Sequence, residues 1–115
     1  MPKPAQLYKV LNSKIRCNLC ERRCEIGENK RGFCGVRENR NGRLFTLSYG
    51  SISAVEPRPI EIKPFYHFYP ASEAITFSTW GCNLSCRWCQ NWHLSRAKPP
   101  EEGVTFRPRR CWKWR

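Results

Sequence analysis

The chain has 115 residues and carries 21 lysines and arginines against 9 aspartates and glutamates, a formal net charge of +12. That length suits one modest domain and excludes a second full one. The charge is spread along the chain rather than gathered in a block, so it reads as a solvated basic surface in preference to a nucleic-acid interface.

No run approaches the roughly 20 apolar residues of a membrane span, and the N-terminus lacks the apolar core of a signal peptide. A cytoplasmic chain with no membrane partner is expected. Reducing compartments disfavour structural disulfides, so the eight cysteines point to metal binding or catalysis.

In chain order, Leu7, Val10 and Leu11 stand at i, i+3 and i+4, a spacing that predicts a short amphipathic helix over 4–12. Cys17, Cys20, Cys24 and Cys34 follow as C-x2-C-x3-C-x9-C, punctuated by Gly27, Gly32, Gly35 and Gly42. This is the composition of a knuckle folded around a metal, with sparse regular structure of its own. Four thiolates close a structural zinc site or hold an iron-sulfur cluster, and the spacing leaves both open. Residues 1–42 therefore read as a short helix and a four-cysteine metal-binding knuckle.

Residues 43–72 form the second segment. Leu44 to Tyr49 and Ile52 to Val55 read as two short strands joined near Gly50 into a hairpin. Pro57, Pro59, Pro64 and Pro70 each remove a backbone donor, so 56–70 reads as a looping connection packed by Phe65, Tyr66, Phe68 and Tyr69.

The third segment, 73–98, opens on Ala74-Ile75-Thr76-Phe77-Ser78-Thr79, a β-branched and aromatic run expected to form a buried strand ending at Trp80-Gly81. Cys82, Cys86 and Cys89 follow at once as C-x3-C-x2-C. Cubane clusters ordinarily take four cysteines, so a local set of three leaves one iron open for chemistry. A zinc site shared with Cys111 is the plainer alternative. His67 and His93 have no partner legible in sequence and read as core or surface residues; Arg37 and Lys63 receive no role.

The loop, with Trp88 before its last cysteine, resembles the signature of the radical S-adenosylmethionine superfamily. Arg16-Cys17-Asn18-Leu19-Cys20, Gly32-Phe33-Cys34-Gly35-Val36-Arg37-Glu38-Asn39, Pro64-Phe65-Tyr66-His67-Phe68-Tyr69-Pro70 and Cys89-Gln90-Asn91-Trp92 narrow the resemblance to one branch. That branch is the AmmeMemoRadiSam system enzymes, which are similar to pyruvate formate-lyase activating enzymes. The resemblance covers about residues 7 to 97. It implies a 4Fe-4S cluster on Cys82, Cys86 and Cys89, S-adenosylmethionine on the open iron, and Trp88 packed beside cluster and adenine. It further implies an oxidoreductase supplied by a donor such as ferredoxin or flavodoxin, which cleaves the sulfonium to a 5'-deoxyadenosyl radical. The radical would act on a protein glycine or a small molecule.

The fold expected from this reading is α/β: a Cys-rich knuckle and short β segment, then the first strand and cluster loop of a truncated (β/α) barrel. A complete barrel of this kind takes about 250 residues. Residues 99–115 form a basic, aromatic tail unlike the family, which reads as a truncation or frameshift and leaves too little chain for turnover. A zinc-binding interaction module and a basic nucleic-acid-binding protein stand as the other functional classes.

Overall fold

Alternation decides the first part of the structure: along Lys14-Ile15-Arg16-Cys17, Ile15 and Cys17 are buried while Lys14 and Arg16 face solvent. The computed structural model describes residues 2–100. Among them lie β1 (Lys3–Pro4), β2 (Tyr8–Val10), β3 (Lys14–Cys17), β4 (Glu25–Gly27), β5 (Arg37–Arg40), β6 (Arg43–Thr46), β7 (Ile52–Pro59), a 3-10 turn (Ile60–Ile62), β8 (Glu73–Thr79) and the single-turn helix α1 (Trp92–Ser95). The strands form three antiparallel sheets, ordered β1-β6-β5, β2-β3-β4 and β7-β8.

The first two sheets share one small core. Ile15 pairs with Ile26 across β3 and β4, and both pack with Cys17 and the fully buried Leu44 of β6. Asn39 of β5, only 2% exposed, ties the sheets together: its side-chain amide donates to the Ile26 carbonyl at 3.0 Å and its carbonyl accepts from the Gly42 N–H at 3.1 Å. Both ends of a buried amide are thereby satisfied, as burial demands. The β5-β6 hairpin turns on Asn41 (φ 50°) and Gly42 (φ 74°), between the paired Arg40 and Arg43. Two successive left-handed residues make the tight connection that Asn-Gly favours.

Several sequence expectations are corrected by this fold. Residues 4–12 are not a helix: Leu7 takes a φ of 58°, the chain turns there, and the flanking residues pair as β1 and β2. Backbone pairing with β3 and β6 outweighs a spacing of only three apolar residues. The knuckle region is not sparse in regular structure, since β3, β4 and β5 fall within it. The strands at 43–46 and 52–59 do not form a hairpin with each other; a turn closed by the Ser51 N–H on the Ser48 carbonyl hands the chain from one sheet to the next.

The α/β expectation and the start of a (β/α) barrel are also overturned. β8 runs antiparallel to β7, and its residues alternate between half-buried and exposed. A parallel barrel strand is covered on both faces and followed by a packing helix. After β8 the described residues form only the one turn of α1. Pro57 and Pro59 do enter β7, opposite Ile75 and Glu73, which is tolerated because each strand of a two-stranded sheet is an edge. The aromatic connection packs on itself, with Phe68 edge-on to Tyr69 at 4.8 Å, yet its rings stay exposed. Residues 101–115, with Cys111, lie outside the described residues.

Glu38 of β5 bridges two arginines, accepting from Arg40 at 2.6 Å and Arg31 at 2.7 Å. Burial pushes its pKa up, but the two guanidinium hydrogen bonds and charges prevail and hold the carboxyl below its ordinary value. A depressed folded pKa gives stability that is present at neutral pH and lost as pH falls through the folded value. Thermal unfolding of wild type should therefore shift down on acidification below about pH 4.5, while Glu38→Gln starts lower at pH 7 and shifts less. Leu44→Ala, which empties the centre of the core, should cost about 2–5 kcal/mol in urea denaturation.

Candidate metal centre

The knuckle is built from two turns. Cys17, the last residue of β3, donates its N–H to the Cys24 carbonyl at 2.9 Å, closing the neck of a loop that carries Cys20. Within that loop the Arg23 N–H reaches the Cys20 carbonyl at 3.1 Å. Cys34 sits in the second turn, where the Gly35 N–H bonds the Gly32 carbonyl at 2.9 Å. As a result Cys17, Cys20, Cys24 and Cys34 line one cavity of about 360 Å³. Gly81 and Cys82 form part of the same wall.

The second cysteine group stands on irregular backbone after β8. The Trp80 indole N–H donates to the buried Ser51 hydroxyl at 3.1 Å, and the Gly81 N–H donates to the Leu94 carbonyl at 3.1 Å. Gly81 has a φ of 78°, and a Cβ there would collide with the Cys34 carbonyl oxygen and lie 2.6 Å from Val36 Cγ1. The loop can approach the knuckle this closely only because residue 81 has no side chain. Arg22 holds the contact from the other side: its Nε donates to the Asn83 carbonyl while its guanidinium lies 3.6 Å from the Phe33 ring centre.

Within the loop, the Leu84 N–H points at Cys82 Sγ at 3.4 Å, the Cys89 N–H bonds the Cys86 carbonyl at 3.4 Å, and Cys89 Sγ lies 3.5 Å from the Ser95 hydroxyl. Arg96 caps the Cys86 carbonyl at 3.1 Å. All seven cysteines of the described residues are free thiols, and Cys82, Cys86 and Cys89 are half-buried. Trp88 is 85% exposed. A further cavity of about 740 Å³ shares Cys34 and Cys82 with the first and is flanked by Lys30, Arg31, Arg96 and Lys98.

Thiol donors on turn backbone have the chemistry of a soft-metal site. As the side chains stand, no three histidine, cysteine, aspartate or glutamate residues among those described converge to hold one metal ion. The structure brings the four knuckle cysteines and Cys82 to one cavity, and it leaves Cys86 and Cys89 outside that cavity. His67 and His93 are both exposed. Sequence reasoning missed Arg37. Only 8% exposed, it donates to the Gln6 carbonyl at 2.7 Å and stands 3.8 Å from Cys17 Sγ. The alternation within β5, which buries Arg37 and Asn39 together, was the available signal.

Against known proteins, the chain is 44% identical over 98 residues to Uncharacterized protein MJ0808 of Methanocaldococcus jannaschii, a match covering 84% of this chain and 29% of that protein. Uncharacterized protein MJ0674 of the same organism is 33% identical over 81 residues, covering 70% of this chain and 19% of that protein. The chain thus spans less than a third of the length of either relative. No family model matches it, and no solved structure does. Among the described residues no helix is long and apolar enough to cross a membrane.

Gly81→Ala should be more damaging than Gly42→Ala. Both residues have a positive φ, so both substitutions carry backbone strain of about 1–3 kcal/mol. Only at Gly81 does the added methyl also strike neighbouring backbone, whereas at Gly42 nothing lies within 4 Å. Chemical denaturation should rank the two variants in that order. Hydrogen exchange in the Gly81 variant should show loss of protection at the residue 81 N–H.

Proposed function

We propose that this chain carries the cluster-binding portion of a radical S-adenosylmethionine enzyme. The observation that carries the reading is the C-x3-C-x2-C loop itself, with free, half-buried thiols at Cys82, Cys86 and Cys89 and an aromatic residue, Trp88, before the last. In this reading Cys82, Cys86 and Cys89 would hold a 4Fe-4S cluster with one iron left without a protein ligand, open to S-adenosylmethionine. When bound, the cluster and cofactor would supply reductive radical chemistry.

The chain's own residues do the positioning. Gly81 lets the loop turn against the knuckle, and Arg96 fixes the backbone between Cys86 and Cys89. The Leu84 N–H supplies a hydrogen bond of the kind that stabilises a charged sulfur. Trp88, exposed on the loop, is an available face to cover the cofactor and keep water from the site. Free thiols suit a reducing, cytoplasmic setting. The electron donor is a low-potential protein such as ferredoxin or flavodoxin, and the substrate is a protein glycine or a small molecule.

After anaerobic reconstitution and reduction, the EPR signal should change when S-adenosylmethionine is added. The cofactor-responsive component should vanish in the Cys82→Ala/Cys86→Ala/Cys89→Ala variant. A wild-type spectrum indifferent to the cofactor would overturn the assignment.

A further inference from the structure

The knuckle cysteines pose a separate question, zinc or cluster, which the cavity they line addresses. We infer that Cys17, Cys20, Cys24 and Cys34 hold an iron-sulfur cubane of their own, seated in the cavity between the knuckle and Gly81-Cys82. This rests on no property of the S-adenosylmethionine reading except the position of that loop.

Size is the first reason. A zinc ion draws four sulfurs to about 2.3 Å from a single point, which leaves no cavity between them. Here no three of the thiols converge on one point, and all four are among the residues lining a cavity of about 360 Å³. A cubane suits such a wall, because each thiolate meets a different iron at a different corner.

Backbone supply is the second reason. The cysteines sit on two turns, each closed by a main-chain bond, Cys17 N–H to Cys24 and Gly35 N–H to Gly32, so the backbone supplies the frame of the cavity. Gly32, at the start of the Cys34 turn, packs closest to Ile26, where an added Cβ would stand 3.1 Å from Cδ1, with the Cys24 Cβ next at 3.7 Å.

Charge is the third. A cluster with four thiolates is an anion, and burying one is costly without a compensating cation. Arg37 is buried on β5 and is directed at Cys17 Sγ, 3.8 Å away, with its other contact a main-chain carbonyl. Among the described residues it has no carboxylate partner within ion-pair distance. Arg22 lines the same cavity at its rim. An unpaired buried guanidinium aimed at a thiol is accounted for by a negatively charged occupant.

The test uses the Cys82→Ala/Cys86→Ala/Cys89→Ala variant of the 115-residue chain, in which only the knuckle group and Cys111 remain. Reconstituted anaerobically with iron and sulfide, it should hold about four irons and four sulfides per chain, with a reduced EPR signal that ignores S-adenosylmethionine. Adding Cys20→Ser, a change on a turn away from the core, should remove most of that iron while far-ultraviolet circular dichroism is unchanged. Arg37→Met in the same background should shift the midpoint potential of the cluster downward, since an anion that loses its cation is harder to reduce. One zinc per chain without iron, no bound metal, or iron content indifferent to Cys20→Ser would overturn the inference. A loop that takes no cluster in wild type would leave the four-iron result standing and remove only the S-adenosylmethionine reading.

Discussion

The approach of Gly81 to the Cys34 carbonyl is the contact through which the two cysteine groups become one region of the molecule. It involves no side chain from the loop, and it is possible only at a residue without a Cβ and with a left-handed φ. The Gly81 N–H is meanwhile engaged by Leu94, so the same residue pins the loop's exit as well as its entry. Arg22 and Trp80 extend the contact on either side, to Asn83 and Ser51. Loss of that approach would leave Arg22 to Asn83 as the side-chain hydrogen bond between the knuckle and the cysteine loop among the described residues.

The knuckle can serve as this anchor although its core is small. Ile15, Ile26 and Leu44 are surrounded by Ala5, Tyr8 and Cys24, and the remaining buried member of the cluster is Cys17. Cys17 therefore has two neighbourhoods: its flank belongs to the apolar core and its sulfur to the cavity wall. Any group bound at that sulfur is coupled to the packing of β3, β4 and β6. A core of this size buries little apolar surface, and binding energy at a metal site is folding energy in such a domain.

Local spacing placed the two cysteine groups, the glycine turns and a strand before the loop, because turns and short strands are fixed by near neighbours, but the strand expected to be buried alternates between half-buried and exposed. The helix expected over 4–12 failed because three apolar residues cannot nucleate a helix against a chain reversal at Leu7 and pairing on either side. Asn41-Gly42 is a hairpin turn signal in its own right, although Gly42 enters the sequence reading only as punctuation of the cysteine-rich knuckle. The β7-β8 pairing spans a long connection, and its register depends on partners that no local window contains. Arg37 illustrates the remaining difficulty: a charged residue reads as surface until strand alternation places it inside.

The net charge of +12 takes on a different sense beside these sites. That count treats every cysteine as neutral, whereas a cysteine that binds metal does so as a thiolate. In the proposed loaded state each ligand sulfur carries a negative charge that the positive metal core offsets only in part, and the arginines nearest the sulfurs are already placed to meet the remainder. Arg37 stands at Cys17 Sγ, while Arg22 and Arg96 bond the loop carbonyls of Asn83 and Cys86. Lys30, Arg31, Arg96 and Lys98 surround the cavity that Cys34 and Cys82 share. Of these, Arg31 is committed to Glu38, so the free charge facing that cavity comes from lysines and from Arg96. Low dielectric makes such cations most effective close to the sulfurs, and distant surface charge is screened within about 10 Å. In that proposed state the basic residues around the two cavities act as a local counterweight to the ligand thiolates.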